Sequence, residues 1–149
     1  MNHIWSVLCK KASIDSQTNS MSLFDIIDKL TITQNTTQEL MEVPSEFVMP
    51  LEFQLATLIS DISKKETDPI VKVSLFNAKG ELMGETENPL EIPKNAKSMR
   101  AVVVFDAIKI KGEGMYVFKV GMRGNKKEIY KEVAEIPMEV EIIKPIIKK

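Results

Sequence analysis

The stretch FVMPLEFQL, residues 47 to 55, constrains the fold most, because its apolar side chains recur at every second position. Phe47, Met49, Leu51, Phe53 and Leu55 alternate with Val48, Pro50, Glu52 and Gln54. Period two marks a strand that buries one face, so the odd-numbered side chains should enter a core. Pro50 has no N–H to give a ladder and belongs at an edge or a bulge. A half-buried strand cannot stand alone, and the rest of the chain has to supply its partners.

It does so in short alternating runs. IVKVSLF, residues 70 to 76, sets Val71, Val73 and Leu75 against Lys72 and Ser74, and NAKGE then predicts a hairpin turn with Gly80 at positive φ. NPLEIPKN, with prolines at 89 and 93, reads as an irregular edge. SMRAVVVFDAIKI is apolar on both faces around Val102 to Phe105, as a central strand between two layers would be. In MYVFKVGM the inner face is Tyr116, Phe118, Val120 and Met122. EIYKEVAEIPMEVEII changes phase between Val133 and Ile136, which predicts a bulge near Val133 to Pro137.

The N-terminal third is less regular. Ile4, Leu8, Ala12 and Ile14 suggest a strand whose other face, Trp5, Val7 and Cys9, is apolar too. SQTNS is a polar turn suited to a hairpin. SLFDIIDKL fits a short helix at 22–30, with Leu23, Ile26, Ile27 and Leu30 at helical spacing and Ser22 and Asp25 as a capping pair. It also fits a strand with Phe24, Ile26, Leu30 and Ile32 on one face, and the strand is the chosen reading. Residues 33 to 46 form the longest linker-like segment. Together these elements predict an all-β, antiparallel β-sandwich of about eight strands, immunoglobulin-like or C2-like, as a single domain over 1–149.

Composition narrows the function classes. Twenty Lys and Arg against 21 Asp and Glu leave a formal charge of −1, so no overall field attracts a polyanion or an anionic membrane. One cysteine cannot form an internal disulfide, and the N-terminus lacks a secretory pattern, so the cytoplasm is the expected compartment. The longest apolar run, AVVVF, is strand-sized and far short of a membrane span.

The runs LCKKASID, SMSLFDIIDKL, MPLEFQL, IVKVSLFNAKGEL and GEGMYVFKV, in that order, resemble an uncharacterised prokaryotic family of short single-domain β-sandwich proteins. On that resemblance Leu8, Cys9, Ala12, Asp15 and Asp28 occupy recurrent positions. Lys10 stands where an acidic residue is frequent, and Asp25 stands where glycine is common. The resemblance implies the sandwich fold and carries no catalytic residues or cofactor with it.

Each chemical candidate has a plainer explanation. Cys9 needs a base to act as a nucleophile, but the only histidine, His3, lies about 20 Å away along an extended strand, so Cys9 reads as a packed core residue. Asp15, Asp25, Asp28, Asp61, Glu66 and Asp68 could contribute to a calcium site in the end loops, yet two lysines interrupt DISKKETD. One Cys and one His cannot build the usual four-ligand zinc site. RGNKKEIYKE, with Tyr130, and the tail KPIIKK are the basic stretches nearest to a nucleic-acid site, and acidic neighbours dilute the first. Of the nine methionines, Met21, Met41, Met83, Met99 and Met115 fall beside turns where an adaptable surface could form.

These weighings favour a non-enzymatic binding or assembly module without cofactor, metal, nucleic acid or membrane. Its expected partner is another protein or a second copy of itself, and Trp5 is the proposed interface anchor because its strand contains no proline. The alternatives are an enzyme with a carboxylate and lysine site in the end loops, and a calcium- or lipid-headgroup-binding module.

Overall fold

The computed structural model describes residues 1–33, 45–63 and 65–144. These contain nine strands: β1 (Asn2–Ile14), β2 (Met21–Ile26), β3 (Lys29–Thr33), β4 (Phe47–Ser60), β5 (Ile70–Phe76), β6 (Leu82–Pro89), β7 (Ser98–Ile110), β8 (Gly114–Arg123) and β9 (Lys131–Ile143). They form a four-stranded sheet A, order β2-β1-β4-β7, and a five-stranded sheet B, order β3-β9-β8-β5-β6. The protein is therefore an all-β sandwich, and no helix among the described residues is long and apolar enough to cross a membrane.

The core follows from the alternation. Phe53, Leu55 and Ile59 of β4, Val71 and Val73 of β5, and Tyr116, Phe118 and Val120 of β8 are each at most 2% exposed. At its centre Phe53 stacks on Phe105 at 4.7 Å between centroids, and Phe118 meets both rings edge-on at 5.9 and 6.3 Å. Such pairs add about 0.5–1.5 kcal/mol each beyond burial.

Several local expectations hold. Gly80 has φ 79° in a turn where the Asn77 carbonyl accepts its N–H at 3.0 Å. The β4–β7 register shifts between Pro50 and Phe53, so Pro50 sits by a bulge. In β9 the register slips at Val120/Gly121, leaving Val133 as the extra residue before the buried Met138 and Val140.

The 22–30 stretch is strand, as the chosen reading has it, and no helix; it splits, however, into β2 and β3, which lie in different sheets. Its inward residues change phase at the crossover, from Leu23 and Ile27 to Leu30 and Ile32, and that change mimics helical spacing. For the same reason Phe24 and Ile26 do not share the buried face and are 52% and 64% exposed. With the split the described strands number nine, in keeping with the expected count of about eight. β3 also runs parallel to β9, so the sandwich is not wholly antiparallel.

Two further corrections concern edges. β7 is not a central strand apolar on both faces but the last strand of sheet A, and Val102 and Val104, alternating with the buried Ala101 and Val103, lie on the sheet's outer face 38% and 64% exposed. β1 is not an open strand: it pairs with β4 through Asn2–Cys9 and with β2 through Cys9–Ile14. Beyond Cys9 it leaves β4, and the β1–β2 hairpin becomes an arm tied back to sheet A. The Ala12 N–H donates to Gln54 Oε1 at 2.8 Å, and Arg100 of β7 donates to the Asn19 carbonyl and Oδ1 at 2.8 and 2.6 Å. The 34–44 part of the linker-like segment, including Met41, and residues 145–149 of the basic tail lie outside the described residues.

Candidate functional site

The side of the sandwich bounded by β6 and β7 combines an open backbone edge with access to the core. β7 is thirteen residues long, contains no proline or glycine, and has no strand partner on the side away from β4 among the described residues. Unpaired N–H and C=O groups along such a strand form a template for another strand. The other terminal strands are shorter or interrupted: β2 has six residues with Asp25 at φ 51°, β3 has five, and β6 ends at Pro89.

Between β6 and β7 a slot of about 260 Å³ reaches Phe53, Phe105 and Phe118, with Glu85 and Lys109 at its rim. Its volume falls below the roughly 300–1,000 Å³ of sites that enclose a small organic ligand. The slot therefore suits a side chain entering from a docked strand better than a whole cofactor.

Sheet A's outer face adjoins this edge. Cross-strand register sets Trp5 opposite Leu58 and Leu58 opposite Arg100, Val7 opposite Ala56 and Ala56 opposite Val102, and Cys9 opposite Gln54 and Gln54 opposite Val104. Trp5 is half-buried on this face. It stands two strand spacings from β7, about 10 Å, so it borders the edge surface rather than forming it. The edge was missed in sequence because VVVF looks equally apolar in a central strand and in an edge strand.

A second site lies at the start of β1, where a cleft of about 610 Å³ is lined by His3, Glu66, Arg123 and Glu128. His3 Nε2 lies 2.8 Å from Ser6 Oγ, which shares a 2.8 Å hydrogen bond with Thr57 Oγ1. A regular strand would place residues 3 and 6 on opposite faces. The β1–β4 register slips between His3 and Trp5, and that bulge brings both onto the inward face. Burial holds the imidazole below its ordinary pKa, which favours the neutral ring. A histidine and a serine at this distance have the first element of a nucleophile pair. Among the described residues, however, no carboxylate orients Nδ1, and Ser6 is shared with the buried Thr57 hydroxyl, so the array satisfies buried polar atoms.

The other candidates have structural duties. Cys9 is fully buried, and burial pushes its thiol pKa up. Asp15 Oδ1 accepts the Gln17 and Thr18 N–H groups, both at 2.8 Å, and these bonds hold its carboxyl below the usual range while closing the β1–β2 turn. Asp25 occupies the left-handed region at φ 51°, a conformation that glycine adopts with less strain. The Asp28 carbonyl accepts the Glu139 N–H, and Asp61 accepts from Asn2. Glu66 is depressed in pKa: burial opposes this, but Ser63 and the Met1 ammonium at 3.2 Å outweigh it. The Asp68 N–H donates to the Gly124 carbonyl. Among the described residues no three His, Cys, Asp or Glu converge to hold a metal ion.

Tyr130 is enclosed rather than free to stack on a base. Lys72 Nζ and Arg123 Cζ lie 4.4 and 4.3 Å from its ring centroid, and its hydroxyl donates to Glu87 at 2.8 Å. Burial and the Glu87 bond push its pKa up to about 12. Of the turn-flanking methionines among the described residues, Met83 is in the core, Met21 and Met99 are half-buried, and only Met115 is largely exposed, at 52%.

In comparisons with known proteins, no protein-family model matches the chain, and no curated protein sequence matches it.

Proposed function

We propose that this protein is a non-enzymatic, cytoplasmic binding and assembly module that recruits an extended strand at the open edge of β7. One observation carries the reading: the thirteen-residue, proline-free edge, with Val102 and Val104 projecting from it and the aromatic slot beside it. Main-chain pairing would supply affinity and the outward valines a dry seam, the division of labour in strand addition. Trp5 belongs to the adjoining face, where a bound partner's side chains would reach it. The pattern resemblance to short prokaryotic sandwich proteins forms part of the same reading.

Hydrogen exchange on dilute protein tests it. Every second amide of residues 98–110 should exchange fast, because it points away from β4, while its neighbours stay protected. Slow exchange at all of them in a monomer would mean that the edge is already paired, and the reading would be wrong.

The His3–Ser6 distance is the one observation that favours the enzyme alternative. A serine-reactive fluorophosphonate separates the two readings. The binding reading expects no labelling, whereas stoichiometric labelling of Ser6 that His3→Ala abolishes would establish a nucleophile.

A further inference from the structure

We propose that the strand received by β7 is the β7 of a second copy of this chain, running antiparallel about a twofold axis through Val103. This rests on the edge reading above and adds the identity of the occupant and its register.

The register follows from facing and charge. A twofold axis perpendicular to the sheet keeps outer residues outer, so each residue must oppose one of the same face, and the axis has to pass through a residue. Centred on Val103, Val102 opposes Val104 of the second copy, and Ala101 opposes Phe105. Arg100 then opposes Asp106, and this opposite-charge pair occurs twice by symmetry. Centring on Val102 or Val104 would instead set Arg100 against Val104 or Ile108, and Asp106 against Ser98 or Val102. Only the Val103 register pairs both charges of the strand's middle.

The groups have capacity for it. Asp106 is exposed, and its carboxylate makes no ion pair or hydrogen bond among the described residues. Arg100 gives two N–H groups to Asn19 and keeps three of its five donors. The two outward valines, 38% and 64% exposed, would cover each other across the seam. Seven residues in register make a seam about 24 Å long, continuing two four-stranded sheets into one of eight.

Light scattering over a concentration series tests the proposal. Wild type should dimerise, and Asp106→Arg should be monomeric because it sets arginine against arginine. Arg100→Asp combined with Asp106→Arg should restore the dimer, and salt should weaken wild type. A second measurement does not depend on Arg100 and its contact with the hairpin arm. Val102→Cys and Val104→Cys chains, both at exposed positions, should form a disulfide-linked dimer only when mixed and oxidised together.

A dimer that ignores the charge reversal and crosslinks within each separate variant would overturn the register. A monomeric wild type at millimolar concentration would overturn self-pairing. If the alternate β7 amides still exchange fast in that monomer, the edge reading survives; if they are protected, it falls as well.

Discussion

Tyr116→Phe tests the clasp that fixes the C-terminal end of β7. The Tyr116 ring is fully buried, and its hydroxyl donates to the Gly112 carbonyl while accepting the Lys111 N–H, both at 2.8 Å. These atoms belong to the turn that leads from β7 into β8, where Gly112 has φ 75°. The substitution removes one oxygen and two hydrogen bonds without changing the shape of the ring. Each bond contributes about 0.5–1.5 kcal/mol, and the two backbone groups left behind are at a turn that water can reach in part. The expected loss is therefore about 1–3 kcal/mol, below the cost of two fully buried orphans. Urea unfolding followed by the fluorescence of Trp5, the only tryptophan, measures it: the midpoint should fall with an unchanged slope. A change below about 0.5 kcal/mol would refute the clasp, because neither bond would then matter to the folded state.

Three other substitutions probe the fold. Cys9→Ser should cost about 1–3 kcal/mol by burying a hydroxyl, and thiol reagents should label native Cys9 slowly; rapid labelling of folded protein would contradict its burial. Gly114→Ala should destabilise more than Gly80→Val, since an added Cβ at Gly114 (φ 125°) would come within 2.6 Å of Ala78 Cβ, whereas Gly80 faces open space; the strain at Gly80 alone is about 1–2 kcal/mol. Asp25→Gly should be neutral or stabilising by up to about 1 kcal/mol, because it relieves a left-handed residue; a clear loss in thermal midpoint would show that the Asp25 side chain has a role in folding.

Particular residues show what the sequence makes legible. Alternation in 47–55 identifies the inward face because one strand buries one side, and Asn77 to Glu81 announces its turn through a single glycine. The phase change in β9 reveals a bulge because its apolar residues switch parity. Strand order is a different matter. Val102 and Val104 resemble core residues, and only the burial of Ala101 and Val103 on the opposite face shows that they face outward, just as only the strand order shows that β7 is an edge. The His3–Ser6–Thr57 array depends on one inserted residue in β1, which no residue-type pattern marks. The split of 22–30 between two sheets was hidden because two strands out of phase imitate a helix. The candidate site was therefore only half legible: the apolar run 101–105 is plain in the sequence, but its place in the last strand of sheet A is not.

Amide exchange across residues 98–110, measured side by side on dilute and concentrated protein, tests the central claim most directly. The account expects alternate β7 amides to exchange fast when dilute and to become protected as concentration rises, while the amides of β2 and β6 do not change. Fast exchange at both concentrations would contradict pairing between copies, and slow exchange at both would contradict an open β7 edge.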